Sequence, residues 1–145
     1  DSVYHGLRML SEESDVVLIH DGVRPFVTET MISESIQAAR QYGAAVIGVP
    51  VKDTIKICSA DGMALETPER SSLWQIQTPQ TFRRKVIVSA YQQAKEAQFL
   101  GTDDASVAEF AGYSVKVQMG SYRNIKITTK EDLLIAEAFW KEALP

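Results

Sequence analysis

Cysteine is almost missing from this 145-residue chain: Cys58 stands alone. That excludes an intramolecular disulfide and a thiolate zinc site, and fits a reducing, cytoplasmic setting. Histidine is scarce too. His5 and His20 form no HxxxH or HExxH pair, so a histidine zinc centre is not expected. No GxSxG elbow occurs, and Cys58 has no activating neighbour in the sequence. No apolar run approaches a membrane span, and the first residues do not read as a secretory signal. Positive charge is not in excess: the net charge of −4 argues against broad binding to nucleic acid or anionic membrane. A local basic pocket for phosphates is still compatible with it. The chain opens on Asp1-Ser2-Val3 without an initiator Met, which reads as a fragment or a processed chain.

What is present is a length suited to one domain with a real core, and 45% hydrophobic residues. Val16 to His20 are apolar or nearly so, a run suited to a strand buried on both faces. The run ends in His20-Asp21-Gly22-Val23-Arg24-Pro25, which cannot continue a central strand. Ligands of open α/β sheets sit beyond the carboxyl ends of strands, so Asp21 and Arg24 fall where chemistry is usually placed. A plain strand end, with Asp21 capping a turn and Arg24 solvated, would give the same local pattern.

Ahead of that strand, Val3, Leu7 and Leu10 have helical spacing over residues 2–11. After it, Thr28 or Thr30 can cap a helix carrying Met31, Ile32, Ile36 and Ala39, with Gly43 as its stop. Ala44 to Val51 is a second apolar run, so strand, helix and strand predict a βαβ unit with a buried parallel pair. From Lys52 to Gln77 short alternating segments (54–58, 63–66 and 73–77) surround the hairpin signal Asp61-Gly62. This predicts an inserted β-arm at about 54–77. A helix is expected from Arg84 to Gln98 and another from Gly101-Thr102-Asp103-Asp104, with Thr102 as N-cap. Strands are expected at 114–119 and 125–127, then a helix to about Ala143 opened by Thr129 and Asp132. Residues 1–145 thus read as one α/β domain with a mostly parallel sheet.

Candidate chemistry lies in cations and hydroxyls at loop positions: Arg24, Lys52, Lys56, Thr54, Arg70, Thr78 and Lys126. Singly, each suits a solvated surface. Lys126 stands apart, because between Ile125 and Ile127 it either snorkels or aims into a site. Asp103 and Asp104 read as partners of a helix dipole before they read as metal ligands. His20 reads as structural. Cations without an evident base or nucleophile suit a reaction whose substrate brings its own nucleophile, such as phosphoryl or nucleotidyl transfer.

Five ordered motifs carry a resemblance: His20-Asp21-Gly22-Val23-Arg24-Pro25, Val51-Lys52-Asp53-Thr54-Ile55-Lys56, Arg70 to Gln80, Gly101 to Ser106, and Asn124-Ile125-Lys126-Ile127-Thr128. Together they resemble the 2-C-methyl-D-erythritol 4-phosphate cytidylyltransferase family of non-mevalonate isoprenoid synthesis, over essentially the whole chain. The resemblance implies a Rossmann-like nucleotidyltransferase of the bacterial cytoplasm, a homodimer locked by exchanged β-arms, and transfer of CMP from CTP with Mg²⁺ and release of pyrophosphate. It implies Lys126 as the catalytic lysine at the α-phosphate, and Ser2, Asp21 and Gly22 as nucleotide-binding, with Asp21 near the metal. Arg24 and Thr54 would bind the methylerythritol part, and Arg70 and Thr78 its phosphate, Arg70 reaching across the dimer. No nucleic acid or membrane partner is implied.

Three departures accompany the likeness. The family's initial strand and Gly-rich loop for the triphosphate are not in this sequence, so a piece of the enzyme that does not turn over alone is expected. Gly22 stands where alanine is frequent, and Arg123 where the family often has an acid. A ribitol-5-phosphate cytidylyltransferase shares fold and motifs. A noncatalytic remnant that dimerises through the arm, or a generic nucleotide-binding module, are the readings of other classes.

Overall fold

The computed structural model describes residues 2–143. Two apolar runs and a longer, largely polar strand build the centre, with a fourth strand at one edge. Val16–Ile19 is β1, Ala44–Pro50 is β2, Trp74–Arg83 is β5 and Lys116–Met119 is β6; they form one sheet in the order β1-β5-β2-β6. β5 is antiparallel to both β1 and β2, and β6 is parallel to β2. Three of the four strands therefore run in one direction, as an α/β reading requires. The expected βαβ pair needs one correction: β1 and β2 share a direction but do not touch, because β5 lies between them. An apolar run fixes burial on both faces and does not say which strand supplies the neighbouring ladder.

Helices cover both faces. Glu29–Tyr42 (α2) is capped by Thr28, whose hydroxyl accepts the Met31 N–H, and closes on Gly43 at φ 92°. Ala38 and Ala39 of α2 pack with Ala45 on one face. On the other, Phe82 and Ala44 meet Leu7 of α1 (Ser2–Arg8), Ile87, Ala90 and Ala94 of α3 (Arg84–Glu96), and Val107 and Ala108 of α4 (Asp104–Phe110). Ala44 and Ala45 thus face opposite ways, the period-two alternation of a strand inside a three-layer stack. Small residues let the layers approach closely, and Phe82, with no exposed surface, fills the gap they leave.

The arm is shorter than its alternating pattern predicts. Ile57–Cys58 (β3) and Ala64–Glu66 (β4) form a two-stranded hairpin. Gly62 at φ 85° turns it, as Asp61-Gly62 signals. Residues 74–77, read as arm, belong to the central strand β5, where Trp74, Gln75 and Ile76 pair with Pro50, Val49 and Gly48. The predicted strand at 125–127 is absent; those residues are a loop tied by the Ile127 N–H to Val23 O at 2.9 Å. Two isoleucines around a polar residue look alike in a strand and in a half-buried loop. At the end, Thr129 and Asp132 cap Lys130–Ala143 (α5) reciprocally, as expected. Among the described residues no helix is long and apolar enough to cross a membrane.

Candidate active site

The site is built where β1, β5 and β6 stop being a regular sheet. In the β2–β5 ladder Val46 faces Gln80 and Gly48 faces Ile76. One residue of β2, Ile47, therefore stands opposite three of β5: Gln77, Thr78 and Pro79. Pro79 has no N–H to give the ladder, so a bulge forms here, and the Thr78–Pro79 peptide is cis. The bulge carries Thr78 to the carboxyl end of β1.

There the Thr78 hydroxyl accepts the Asp21 N–H at 3.0 Å and lies 3.0 Å from His20 Nδ1. The Asp21 carboxylate gathers two cations on one oxygen, Lys126 Nζ at 3.0 Å and Arg24 Nε at 3.5 Å from Oδ2. Arg24 donates from its guanidinium to Asn124 O at 2.8 Å. Its side chain is 11% exposed, whereas that of Lys126 is 48% exposed. Burial lowers the Arg24 pKa, and the adjacent Asp21 charge opposes that shift. The Lys126 side chain lies at the mouth, where an anion can reach it.

A cavity of about 270 Å³ joins Asp21, Arg24, Thr78 and Lys126 to Gln80 and the 102–104 turn. That turn is held from within the sheet. Gln80 donates to Asp103 Oδ2 at 2.8 Å and accepts the Ala105 N–H at 2.9 Å. Asp103, not Thr102, is the N-cap of α4, in a capping box with Ser106. A carboxylate that also receives Gln80 outcompetes a threonine one residue earlier. Burial raises the Asp104 pKa, partly opposed by the Tyr91 hydroxyl bound at 2.5 Å, with Asp103 and Asp21 adding to the rise. The same burial, with Asp104, pushes the Tyr91 phenol up.

Of the residues expected at the site, the structure brings together Asp21, Arg24, Thr78 and Lys126. Gly22 lies in the exposed turn between Asp21 and Arg24; a Cβ there would meet nothing within 4 Å, so alanine fits equally well. Ser2, Thr54 and Arg70 do not line this cavity. Ser2 opens α1, Thr54 is exposed on the way to the arm, and Arg70 donates to Lys52 O at 2.9 Å. Arg123 pairs with Glu142 at 2.9 Å and lies over the Phe139 ring, which fastens the 121–127 loop to α5. Gln80 was not singled out from sequence, and Asp103 was read only as a helix-dipole partner, not as the N-cap that Gln80 holds. Their signal was weak: a glutamine closing Thr78-Pro79-Gln80, and an acid beside Thr102. Among the described residues no group of three His, Cys, Asp or Glu side chains could hold a metal ion.

A polar cluster at the carboxyl ends of strands, with two cations, three carboxylates and two threonines around one cavity, is an arrangement suited to α/β proteins of the nucleotidyltransferase class. Solved structures with this fold agree. The 4-diphosphocytidyl-2C-methyl-D-erythritol synthase of Anaerococcus prevotii superposes with a TM-score of 0.89 at 41% identity, over 97% of this chain and 63% of that one. The 2-C-methyl-D-erythritol 4-phosphate cytidylyltransferase of Thermus thermophilus gives 0.87 at 32% identity, over 97% and 68%. The chain belongs to the IspD family, 2-C-methyl-D-erythritol 4-phosphate cytidylyltransferase, whose model matches residues 1–142. It is 51% identical to the Caldanaerobacter subterraneus enzyme of that name, with 97% of this chain covering 62% of the relative. For the Clostridioides difficile enzyme the identity is 56%, with 94% of this chain covering 57% of the relative. The chain thus spans about three fifths of the length of these curated relatives.

Proposed function

We propose that this chain supplies the second-substrate and catalytic-lysine part of a cytidylyltransferase that transfers CMP from CTP to 2-C-methyl-D-erythritol 4-phosphate. The observation that carries this reading is the convergence of Asp21, Arg24, Thr78 and Lys126 on one cavity. A phosphate oxygen of the alcohol phosphate attacks the α-phosphorus of CTP in line. The bond from that phosphorus to the bridging oxygen breaks, pyrophosphate leaves, and the CDP-alcohol forms without a protein nucleophile or base. Positioning and charge neutralisation are then the protein's task.

Lys126, exposed at the mouth and anchored on Asp21, neutralises charge growing on the α-phosphate. Arg24 and Thr78 line the cavity that receives the polyol phosphate. Ser2, Asp21 and Gly22 serve the nucleotide. Thr54 and Arg70, outside the cavity of one protomer, complete the substrate pocket when two chains exchange the arm at about 54–73. Exposed Met63 and Leu65 on that arm, 65% and 67% accessible, support a homodimer through it. The setting is the bacterial cytoplasm, without nucleic acid or membrane as partner, and residues 1–145 act as one nucleotidyltransferase domain.

The donor set fits Mg²⁺ in the way phosphate-transfer sites use it. Mg²⁺ takes one or two carboxylates and completes its shell with substrate phosphates and water, so Asp21 alone suffices from this chain. Bound there, the ion would neutralise triphosphate charge.

Pyrophosphate release with CTP, Mg²⁺ and 2-C-methyl-D-erythritol 4-phosphate tests the reading. It is measured on the chain alone and on the chain joined to the preceding segment of its relatives. Release by the joined form, and a higher kcat/KM than with ribitol 5-phosphate, is expected. Preference for ribitol 5-phosphate would move the substrate assignment, and silence in both forms would leave a dimerising remnant.

A further inference from the structure

We propose that His20 and Asn124 are positioning residues: with Arg24 and Thr78 they close a four-residue hydrogen-bonded ring that sets the spacing of the side chains in the cavity. Neither lines the cavity, whereas Arg24 and Thr78 both do. His20 Nε2 lies 3.0 Å from Arg24 O, and its Nδ1 lies 3.0 Å from the Thr78 hydroxyl. Asn124 Nδ2 donates to Thr78 O at 2.9 Å, and Asn124 O accepts from Arg24 at 2.8 Å. Each of the two outer residues thus holds Arg24 once and Thr78 once.

For a neutral imidazole, donor and acceptor matching leaves one consistent assignment. Arg24 O can only accept, so His20 Nε2 carries the proton. Thr78 Oγ1 already accepts the Asp21 N–H, and its own proton goes to His20 Nδ1. Asn124 Nδ2 faces two oxygens, Thr78 O and, at 3.3 Å, Gln77 Oε1. Turning the amide over would set oxygen against oxygen. Asn124 is fully buried, and its Oδ1 has no hydrogen-bond partner. A buried orphan oxygen is costly, and a residue that merely filled space would not carry it. The donors are what the position requires.

The ring ties together segments far apart in the chain: the turn after β1, the bulge of β5 and the loop after β6. Asp21 follows His20 directly and Lys126 lies two residues beyond Asn124, so the Asp21–Lys126 pair hangs from the ring at both ends. Opening any one link frees the same set of side chains. The two positions should therefore not act independently.

The test compares the wild type with His20→Phe, Asn124→Ala and the double variant, first without ligand. The Arg24 Nε–H resonance is expected to move in each single variant and hardly further in the double. With CTP, Mg²⁺ and the polyol phosphate, each single variant should lose roughly 10- to 100-fold in kcat/KM per folded molecule. The double variant should lose about as much as the worse single one. Losses that multiply, or an unmoved Arg24 resonance, would overturn the ring. The kinetic arm rests on the cytidylyltransferase reading; if the wild type releases no pyrophosphate, that reading fails, and the resonance still judges the ring. Should the variants not fold, a long-range nitrogen–proton spectrum of the wild type at mildly alkaline pH decides. A proton on His20 Nε2 supports the ring, and one on Nδ1 overturns it.

Discussion

The site and the arm leave the same strand and are built in opposite ways. Around the site, hydrogen bonds join residues 57, 58 and 100 positions apart, and they rest on side chains such as Gln80 and Asn124 that are nearly or fully buried. In the arm the bonds are local: Ser59 with Met63, and Lys56 with Thr67 at 2.6 Å, all exposed. Its apolar residues Ile57, Met63 and Leu65 face outward. The site is over-determined by one protomer, and the arm is under-determined by it. Rigid geometry is spent where charges must be placed, and unburied surface is left where, in the dimer proposed above, a second copy would complete it.

The largest blow to the rigid side is Phe82→Ala. This ring is fully buried between both sheet partners of β5 and α3, and its loss should cost about 3–5 kcal/mol, read as a lower urea midpoint. Next comes Lys126→Ala in the chain joined to the preceding segment of its relatives. Half exposed, the lysine adds little to folding, so the melting temperature should hold while kcat falls on the order of a hundredfold or more. Near-normal turnover would break its assignment. Gly120→Ala probes the floor of the site. An added Cβ would stand 2.3 Å from Ile47 Cγ2 and 2.5 Å from Gln77 Oε1. Overpacking there should cost about 1–3 kcal/mol and, unlike Lys126→Ala, lower stability and turnover together.

Smaller effects sharpen the contrast. Because Asp104 has a raised pKa in the fold, ionisation favours the unfolded chain. The penalty is absent at acid pH, grows as pH rises from the ordinary 3.8 through the folded value, and is complete above it. Asp104→Asn, which keeps an oxygen for Tyr91, should stabilise the protein at neutral pH and match it at pH about 3. In thermal melts an unchanged difference across that range would contradict the sign. Smallest of all, Met63→Ser with Leu65→Ser should leave the protomer within about 0.5 kcal/mol, while sedimentation shifts toward monomer.

Legibility followed the range of the interactions. Thr28, Gly43, Asp61-Gly62 and the Thr129–Asp132 cap were readable because each is settled within four residues. The apolar runs of β1 and β2 showed strands sharing one direction. What escaped was decided across the chain: β5 inserting between them, Asp103 displacing Thr102 because Gln80 reaches it, and 125–127 held as loop by Val23. Asp21, Arg24, Thr78 and Lys126 were named through motifs, but their separations of up to 105 positions gave no local sign that they meet.

β5 also constrains what evolution can do to this gene. Its ten residues run from Trp74, at the root of the arm, through the bulge to Arg83. Codons gained or lost around 60–63, at the exposed hairpin tip, alter only a loop. A single codon gained between 74 and 77 shifts every residue on one side of it to the opposite face of the sheet. Either Trp74 and Ile76 or Thr78 would then point the wrong way. Length variation among natural homologues should accordingly cluster at the tip and spare the strand.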